Sequence, residues 1–378
     1  MGDELDVAVV GAGPAGLLAA CEAAKHGLEV AVFEEDSIVG RPEKCAGLYS
    51  LDGLKKLRIP LHRPWIQNFA RGALFKSPSG RSFLVDASRD VAVVANRERF
   101  DQYLAEQAVM NGASLYINTR VSGVKIGNDG VELTTRRGVV RARYLIDSEG
   151  HSAFIARSIH PSYKLGEWLP IIQYQVAGHG MDRQLVYLFF KHYLPDFFAY
   201  LVPVDDELGK VGVAAKKNIR HLASKFMAEE FPNARVVGVQ SSAIYVGPPL
   251  DNPRVDRVYF VGDVAGHVKA TTGGGVIFGG MAGIAAAREI SLRDDSFNNY
   301  VKNAYRELRR IYLVRRLTAR LKPNQLDMLF RLISESGIDR KLSEMGDMDF
   351  HGSTATRLIT TREFLKLAPL FLKSLITS

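Results

Sequence analysis

The stretch that decides the fold is Val7-Ala8-Val9-Val10-Gly11-Ala12-Gly13-Pro14-Ala15-Gly16. Its apolar start reads as a buried parallel strand and Leu17 to Lys25 reads as a helix, so the glycines fall on a strand–turn–helix junction. Gly11 permits the tight turn, Gly13 lets backbone N–H groups approach a pyrophosphate, and Gly16 lets the helix lie close to the sheet. The positive end of that helix favours the anion. A second strand, Val30 to Phe33, ends at Glu34. Roughly 20 residues on from the turn, that carboxylate can accept hydrogen bonds from an adenosine ribose and would repel a 2′-phosphate. The pattern points to a dinucleotide; the competing reading is a glycine turn with nothing bound.

A second glycine pattern lies far downstream. Val258-Tyr259-Phe260-Val261-Gly262-Asp263-Val264-Ala265-Gly266 reads as a buried strand ending in a glycine and a carboxylate, after which Gly273-Gly274-Gly275 opens a helix running to Ile290. Asp263 can hydrogen-bond a ribityl hydroxyl, a group that a nicotinamide dinucleotide lacks. Bare backbone N–H groups at Gly274 and Gly275 can face the pyrimidine edge of a flavin and stabilise the negative charge of its reduced form. Two turns gripping opposite ends of one molecule make FAD the expected cofactor. The alternative for the second pattern is a helix start made of glycine for close packing.

Between these patterns the chain changes character. Residues 66–95 read as short strands with a turn at Ser77-Pro78-Ser79-Gly80, and Arg97 to Asn111 reads as a helix. Four alternating segments from Ser114 to Ala142 read as an antiparallel meander, closing on Tyr144-Leu145-Ile146-Asp147 as a return to the main sheet. Residues from about 155 to 254 are strand-rich, with Ile171–Val176, Gln184–Phe190, Phe198–Val202 and Val211–Ala215 as candidates. The expected fold is α/β: a Rossmann-type FAD-binding domain (1–65, 96–154 and 255–296), interleaved with an α+β substrate domain on an antiparallel sheet (66–95 and 155–254), then C-terminal helices (297–378).

These motifs resemble the FAD-dependent geranylgeranyl reductase family, within the flavoprotein superfamily that includes p-hydroxybenzoate hydroxylase. The resemblance covers most of residues 1–300 and rests on Lys44-Cys45-Ala46-Gly47-Leu48, Arg97-Glu98-Arg99-Phe100-Asp101, Asp147-Ser148-Glu149-Gly150-His151-Ser152, and Lys269-Ala270-Thr271-Thr272-Gly273-Gly274-Gly275. It implies reduction of isolated C=C bonds in geranylgeranyl chains of membrane lipids or their precursors, by hydride from the reduced flavin plus a proton. Motif and resemblance together put the cofactor against Gly11, Gly13, Ala15, Gly16, Glu34, Cys45, Ala46, Gly47, Arg97, Val121, Asp147, Gly150, Gly262, Asp263, Gly274, Gly275 and Val276. In the family the Cys45 loop lies beside the flavin ring. Cys45 is therefore a catalytic candidate, with packing as its other reading, whereas Cys21, inside the first helix, reads as a small apolar residue.

The family's substrate-cavity motif is matched by Pro195-Asp196-Phe197-Phe198-Ala199-Tyr200-Leu201-Val202-Pro203. Tyr200 stands where a tryptophan is usual and Val202 where a phenylalanine is. Tyr200 is the second catalytic candidate, and Tyr174, Tyr187, Phe189, Phe197, Phe198 and Tyr200 are expected to line a dry tunnel whose ring faces stabilise developing positive charge. The other reading of the segment is an aromatic-rich edge strand. His151 and His267 border the flavin motifs as weaker acid candidates.

Composition bounds the rest. The 378 residues carry a net charge of +8 and two cysteines, which excludes a disulfide framework and fits a reducing cytoplasm. No Cys/His spacing suggests a metal site, and no apolar run is long enough to span a bilayer. Arg306, Arg309, Arg310, Arg315, Arg316, Arg320 and Lys322 form a basic stretch that either rests on anionic lipid at the inner membrane face or packs on its own domain. Phe364, Leu365, Leu367, Leu370, Phe371, Leu372, Leu375 and Ile376 offer an apolar tail to the same lipid surface. Nucleic acid is a weaker partner because no motif accompanies the charge. The electron donor stays open between ferredoxin, a deazaflavin and NADPH. Two rival activities stand beside the reductase: an aromatic monooxygenase, and a flavin electron-transfer or lipid-binding protein.

Overall fold

The computed structural model describes residues 5–361 and residue 364. The chain divides into two compact units, 1–43, 97–168 and 245–309 in one, and 44–96, 169–244 and 310–378 in the other.

The first unit is built on an eight-stranded sheet. Leu5–Val10 lies in its middle, parallel to Val30–Phe33 on one side and to Gly138–Asp147 on the other. Val258–Phe260 and Ser114–Tyr116 extend the parallel set at either side. Val7, Ala8 and Val9 are wholly buried, as a strand with both faces covered requires. Ser114–Tyr116, expected to open the meander, instead pairs in parallel at the sheet edge; the meander itself is Val121–Ile126, Val131–Thr135 and Gly138–Asp147. Stacking of Tyr116 on Phe33, with ring centres 5.4 Å apart, holds that edge strand.

Helices Pro14–Lys25 and Val276–Leu292 pack against each other over this sheet. Their approach is set by small residues: a β-carbon on Gly283 would collide with the Ala15 carbonyl, and one on Gly279 would stand 3.0 Å from the Gly262 Cα.

The second unit holds a seven-stranded sheet in the order Arg235–Tyr245, Trp168–Ala177, Leu208–Ala214, Ala199–Pro203, Leu185–Phe189, Gly72–Lys76, Ser82–Asp86. Alternation gives it two different faces. One packs Ile172, Val176, Tyr187, Phe189, Leu201 and Val211 against Phe226 and Met227 of the helix Ile219–Glu230. The other packs Val186, Leu188, Tyr200 and Val202 against a three-stranded sheet of Leu48–Ser50, Ala92–Ala95 and Ile66–Ala70.

The division differs from the one expected from sequence in four places, among them 245–254, whose Tyr245 and Leu250 pack into the core of the first unit, and contacts made far along the chain account for them. Residues 44–65 join the second unit because Leu48–Ser50 pairs with Ala92–Ala95. Ile155, Ala156 and Leu165 join the first because they pack into its core with Phe260 and Val264. The C-terminal helices form no unit of their own. Tyr300 donates to the Phe278 carbonyl in the first, while Asp327 accepts from Ser77 and Ser79 in the second.

Candidate active site

In the first unit the glycine turn is shaped by its own backbone. Gly11 has φ +96°, and a β-carbon there would stand 2.6 Å from the Ser148 carbonyl; on Gly16 it would overlap the Gly11 carbonyl and the Ser148 hydroxyl. Ser148 closes the turn by donating to Val10 O and Gly11 O, at 2.7 and 2.9 Å. Gly13 is different: nothing lies within 4 Å of the place a β-carbon would take. It caps the helix Pro14–Lys25, and no side chain satisfies that helix end. An open cradle at an uncapped N-terminus is where an anion binds.

Glu34 accepts from Ala12 N at 2.7 Å and from Asp36 N at 2.8 Å, which aims its carboxylate at the turn. Burial raises its pKa, and those two N–H bonds oppose the rise. Asp147, at the C-terminal end of its strand, is completely buried, and its Oδ2 has no hydrogen-bond partner. Its other oxygen accepts from Glu149 N at 3.1 Å. Burial first, then the charge of Glu149, pushes the carboxyl well above its usual range. A buried oxygen without a partner costs about 1–3 kcal/mol, so this atom fits a ligand hydroxyl or phosphate that would complete it. Gly150, at φ +71°, follows with open space beside it.

The downstream turn repeats the logic. Gly262 has φ +76° and faces Ala15, whose β-carbon would be 3.2 Å from one on Gly262. Asp263 is half-buried against Gly275, where a β-carbon would meet its Oδ1 at 2.8 Å. Burial raises the Asp263 pKa, while the charges of Arg97 and His151 hold it back. Gly275 caps the helix Val276–Leu292, again with no side-chain cap, and Val276 is its first residue. Gly274 pairs with Lys269, closing the loop. Val121 differs from the rest of the set: its side chain is buried in the core with Val10 and Phe33, leaving only backbone to meet a ligand.

One residue of the first unit is missed by sequence reasoning, and another has a different part from the one expected. Asp101 grips Arg97 through two bonds of 3.0 and 2.8 Å and fixes the guanidinium whose charge reaches Asp263. Its spacing of four on one helix was the available signal. His267, expected from sequence as a weaker acid candidate, is the second. It accepts from Gly262 N through Nδ1 at 3.2 Å and meets the Tyr305 hydroxyl through Nε2 at 3.1 Å. Burial alone pushes its pKa down to about 3. A ring that stays neutral, with both nitrogens occupied, braces the Gly262 turn, which removes it as an acid candidate.

In the second unit the two catalytic candidates are brought together through a third residue. The Tyr200 hydroxyl donates to Gln173 Oε1 at 2.9 Å, and Gln173 Nε2 donates to the Cys45 carbonyl at 3.3 Å. Gly47 N donates to Cys45 Sγ at 3.4 Å. Burial, and then the nearby Cys45 thiol, hold the Tyr200 phenol far above its usual pKa. Gly47 must be glycine: φ is +74°, and a β-carbon would overlap the Ala95 carbonyl. That carbonyl also accepts from the buried Lys210 Nζ at 3.1 Å, with Gln67 Oε1 at 3.0 Å. Ala46 packs beside Leu48 and Tyr200.

The six aromatic residues do not form one wall. Tyr174, Tyr187 and Phe189 point to the helix-covered face, where Phe189 is wholly buried edge-on to Phe226 and Phe231. Phe197 and Phe198 stack on each other at 4.3 Å, and Phe198 meets Phe190. Tyr200 alone stands on the opposite face with Gln173. The physical reason is the period of two along a strand, which sends Tyr187 and Tyr200 to different sides although their strands are neighbours.

Comparison with known proteins bears on the family and the fold. The family model for FAD dependent oxidoreductases matches residues 6–166. Digeranylgeranylglycerophospholipid reductase 2 of Methanosphaera stadtmanae is 30% identical over 78% of this chain and 81% of its own. Digeranylgeranylglycerophospholipid reductase 1 of Methanothermobacter thermautotrophicus is 27% identical over 97% and 96%. Among solved structures, a geranylgeranyl bacteriochlorophyll reductase-like protein from Thermoplasma acidophilum superposes with a TM-score of 0.85, covering 97% of this chain and 99% of that one at 21% identity. A flavin-dependent brominase superposes with a TM-score of 0.73 at 18% identity, covering 92% and 94%. These two likenesses speak for the fold.

Proposed function

This chain belongs to the geranylgeranyl reductase family of FAD-dependent oxidoreductases, and from that premise we propose that it saturates isolated C=C bonds in the geranylgeranyl chains of membrane lipids or their precursors. The observation that carries the reading is the 30% identity across 81% of a digeranylgeranylglycerophospholipid reductase. The site geometry supports it through the orphaned Asp147 oxygen and the open cradle at Gly13.

When bound and reduced by the external donor, FAD would supply a hydride to one carbon of the alkene. Gly13, the N-terminus at Pro14 and the Asp147 carboxyl would hold its diphosphate, Glu34 its ribose, and Asp263 with the Gly275 helix end its other half. Arg97, fixed by Asp101, adds positive charge beside Asp263. The alkene also needs a proton. The Tyr200 proton is committed to Gln173, so the phenol contributes its ring face and leaves the exchangeable proton of this loop on Cys45. Gly47 N–H donates to Sγ and fixes where the thiol points.

The electron donor and membrane contact complete the proposal. Arg310, Leu313, Arg316, Arg320 and Lys322 are exposed on one stretch and suit anionic lipid. Arg315 is withdrawn from that set, since its guanidinium lies over Phe197 and donates to the Asp196 carbonyl. The apolar tail from Leu365 lies outside the described residues, and among those described no helix is long and apolar enough to cross a membrane. Reduction by ferredoxin, a deazaflavin or NADPH is compatible with the site.

The deciding test is anaerobic. Dithionite-reduced protein mixed with geranylgeranyl lipid should reoxidise its flavin, and the extracted lipid should gain hydrogen in pairs by mass spectrometry. Flavin that stays reduced overturns the reading. Liposome flotation without binding to anionic vesicles would remove the membrane contact.

A further inference from the structure

Lys210 lies in the strand Leu208–Ala214 of the second unit and is only 2% exposed. A lysine is seldom carried so far inside unless its amine is given specific partners. Two of them belong to the three-stranded sheet that covers the Tyr200 face: Nζ donates to Gln67 Oε1 at 3.0 Å and to the Ala95 carbonyl at 3.1 Å. Both partners sit at an irregularity of that sheet. Ile66 pairs with Ala95 and Asn68 with Val94, so the ladder skips Gln67. A residue left out of a ladder has its side chain re-aimed, and here the amide is aimed at the lysine.

Ala95 is held on both sides of its backbone. Its carbonyl accepts from Lys210, while its N–H donates to the Gly47 carbonyl at 2.8 Å. Gly47 is the turn residue whose own N–H meets Cys45 Sγ at 3.4 Å, and it lies so close to the Ala95 carbonyl that no side chain fits between them. A continuous path of contacts therefore runs from the lysine through Ala95 and Gly47 to the thiol. The Cys45 carbonyl is tied separately, by Gln173, which Tyr200 engages. One strand governs both ties: Gly212 abuts the Tyr200 ring, and Lys210, two residues earlier and on the same side, acts through Ala95.

We propose that Lys210 is a positioning residue for the Cys45 thiol: by clamping the Ala95 carbonyl it fixes the Gly47 turn and, with it, the direction of Sγ. The inference rests on the reductase reading for the use made of the thiol, and deepens that reading by adding the group that aims it. The rival account is a lysine that only pins two sheets together. In that case the thiol follows the stability of the fold and nothing else.

The test reads the thiol directly on the FAD-loaded protein, as the rate of Cys45 alkylation by iodoacetamide, with peptide mass mapping to separate it from Cys21. Lys210→Met keeps the stem and removes the donor, so the turn loosens and alkylation should speed up at least about tenfold. Gln67→Leu leaves the bond to Ala95 in place and should stay near the wild-type rate. The double variant Lys210→Met/Gln67→Leu removes both members of one bond, leaves no orphaned amide, and should melt above Lys210→Met. Its Cys45 should nevertheless stay fast, because the Ala95 carbonyl still lacks its donor; this variant carries the comparison if Lys210→Met alone does not fold. A Cys45 rate unchanged by the loss of Lys210, or one that recovers with the melting temperature in the double variant, overturns the proposal. Anaerobic flavin reoxidation by geranylgeranyl lipid is read on the same samples. Lys210→Met should reoxidise at least about tenfold more slowly, with the KM for lipid unchanged. Reoxidation at the wild-type rate despite a loosened thiol overturns the proposal as well. A fast thiol in Lys210→Met beside a wild type that never reoxidises leaves the positioning intact, and it is then the reductase reading that fails.

Discussion

The ring of Tyr200 lies against the backbone of Gly212, so closely that a β-carbon at position 212 would overlap the phenol carbons and its oxygen. The absence of a side chain at one residue therefore sets the position of the other, and with it the bond to Gln173. Gly212→Ala should displace the ring. Because the overlap is with the far end of a side chain, the stability cost should be modest, about 1–2 kcal/mol in a urea melt. Turnover should fall at least about tenfold. Tyr200→Phe, which keeps the ring and loses one hydrogen bond, should cost only about 1 kcal/mol. Wild-type turnover in Gly212→Ala would show that the ring's position does not matter.

Gly13 and Gly16 separate binding from folding. A side chain at Gly13 meets open space, so Gly13→Val should melt near the temperature of the wild-type apoprotein, lose the gain that flavin gives wild type, and emerge without flavin colour. At Gly16 a β-carbon collides with the backbone of the turn itself, so Gly16→Val should lower the melting temperature whether or not flavin is added. Thermal melts paired with flavin-to-protein absorbance ratios distinguish the two. Equal melting losses in both variants would contradict the cradle assignment.

Asp147 should behave as half of an incomplete contact. Its unpartnered, buried oxygen makes the protein without cofactor less stable than it need be, and a bound group would complete it. Asp147→Ala should raise the dissociation constant for FAD by about ten- to a hundredfold, corresponding to 1–3 kcal/mol. Asp147→Asn should lose less, because the buried carboxyl already favours its uncharged form. Fluorescence titration of the apoprotein measures both; equal FAD affinity in all three proteins would count against the contact.

His267 predicts a pH effect whose sign is fixed. Its pKa is depressed to about 3 in the folded chain, against 6.5 when unfolded. Between those values the unfolded chain binds the extra proton, so stability is full above about pH 6.5 and falls as the pH drops toward 3. The slope from this residue approaches about 1.4 kcal/mol per pH unit. His267→Asn, which keeps an acceptor for Gly262 N–H, should be less stable than wild type at neutral pH, with the gap narrowing as the solution is acidified. A gap that stays constant from pH 7 to pH 5 would contradict a neutral, buried ring.

Much of the first unit can be read from sequence because its determinants are local. Gly11 and Gly16 are dictated by the turn's own backbone, and Leu5–Val10 announces burial on both faces by its unbroken apolar run. The second unit resists for the opposite reason. Alternation says that Tyr200 and Leu201 face different ways, yet not which way is the helix side, so Tyr174, Tyr187 and Phe189 are grouped with Tyr200 by composition although the sheet separates them. Gln173 and Lys210 carry no motif at all. Their importance comes from partners 128 and 115 residues away, Cys45 and Ala95, which only the folded sheet brings near.

The parity of the strand Ala199–Pro203 has a consequence for where a substitution is felt. Its odd positions Ala199 and Leu201 carry the packing against the helix Ile219–Glu230, while Tyr200 and Val202 look the other way. A change at Tyr200 or Val202 therefore leaves the packing against that helix alone and is felt instead where this sheet meets Leu48–Ser50, Ala92–Ala95 and Ile66–Ala70. Two separate packings of one sheet are thus written in interleaved letters of the same short word.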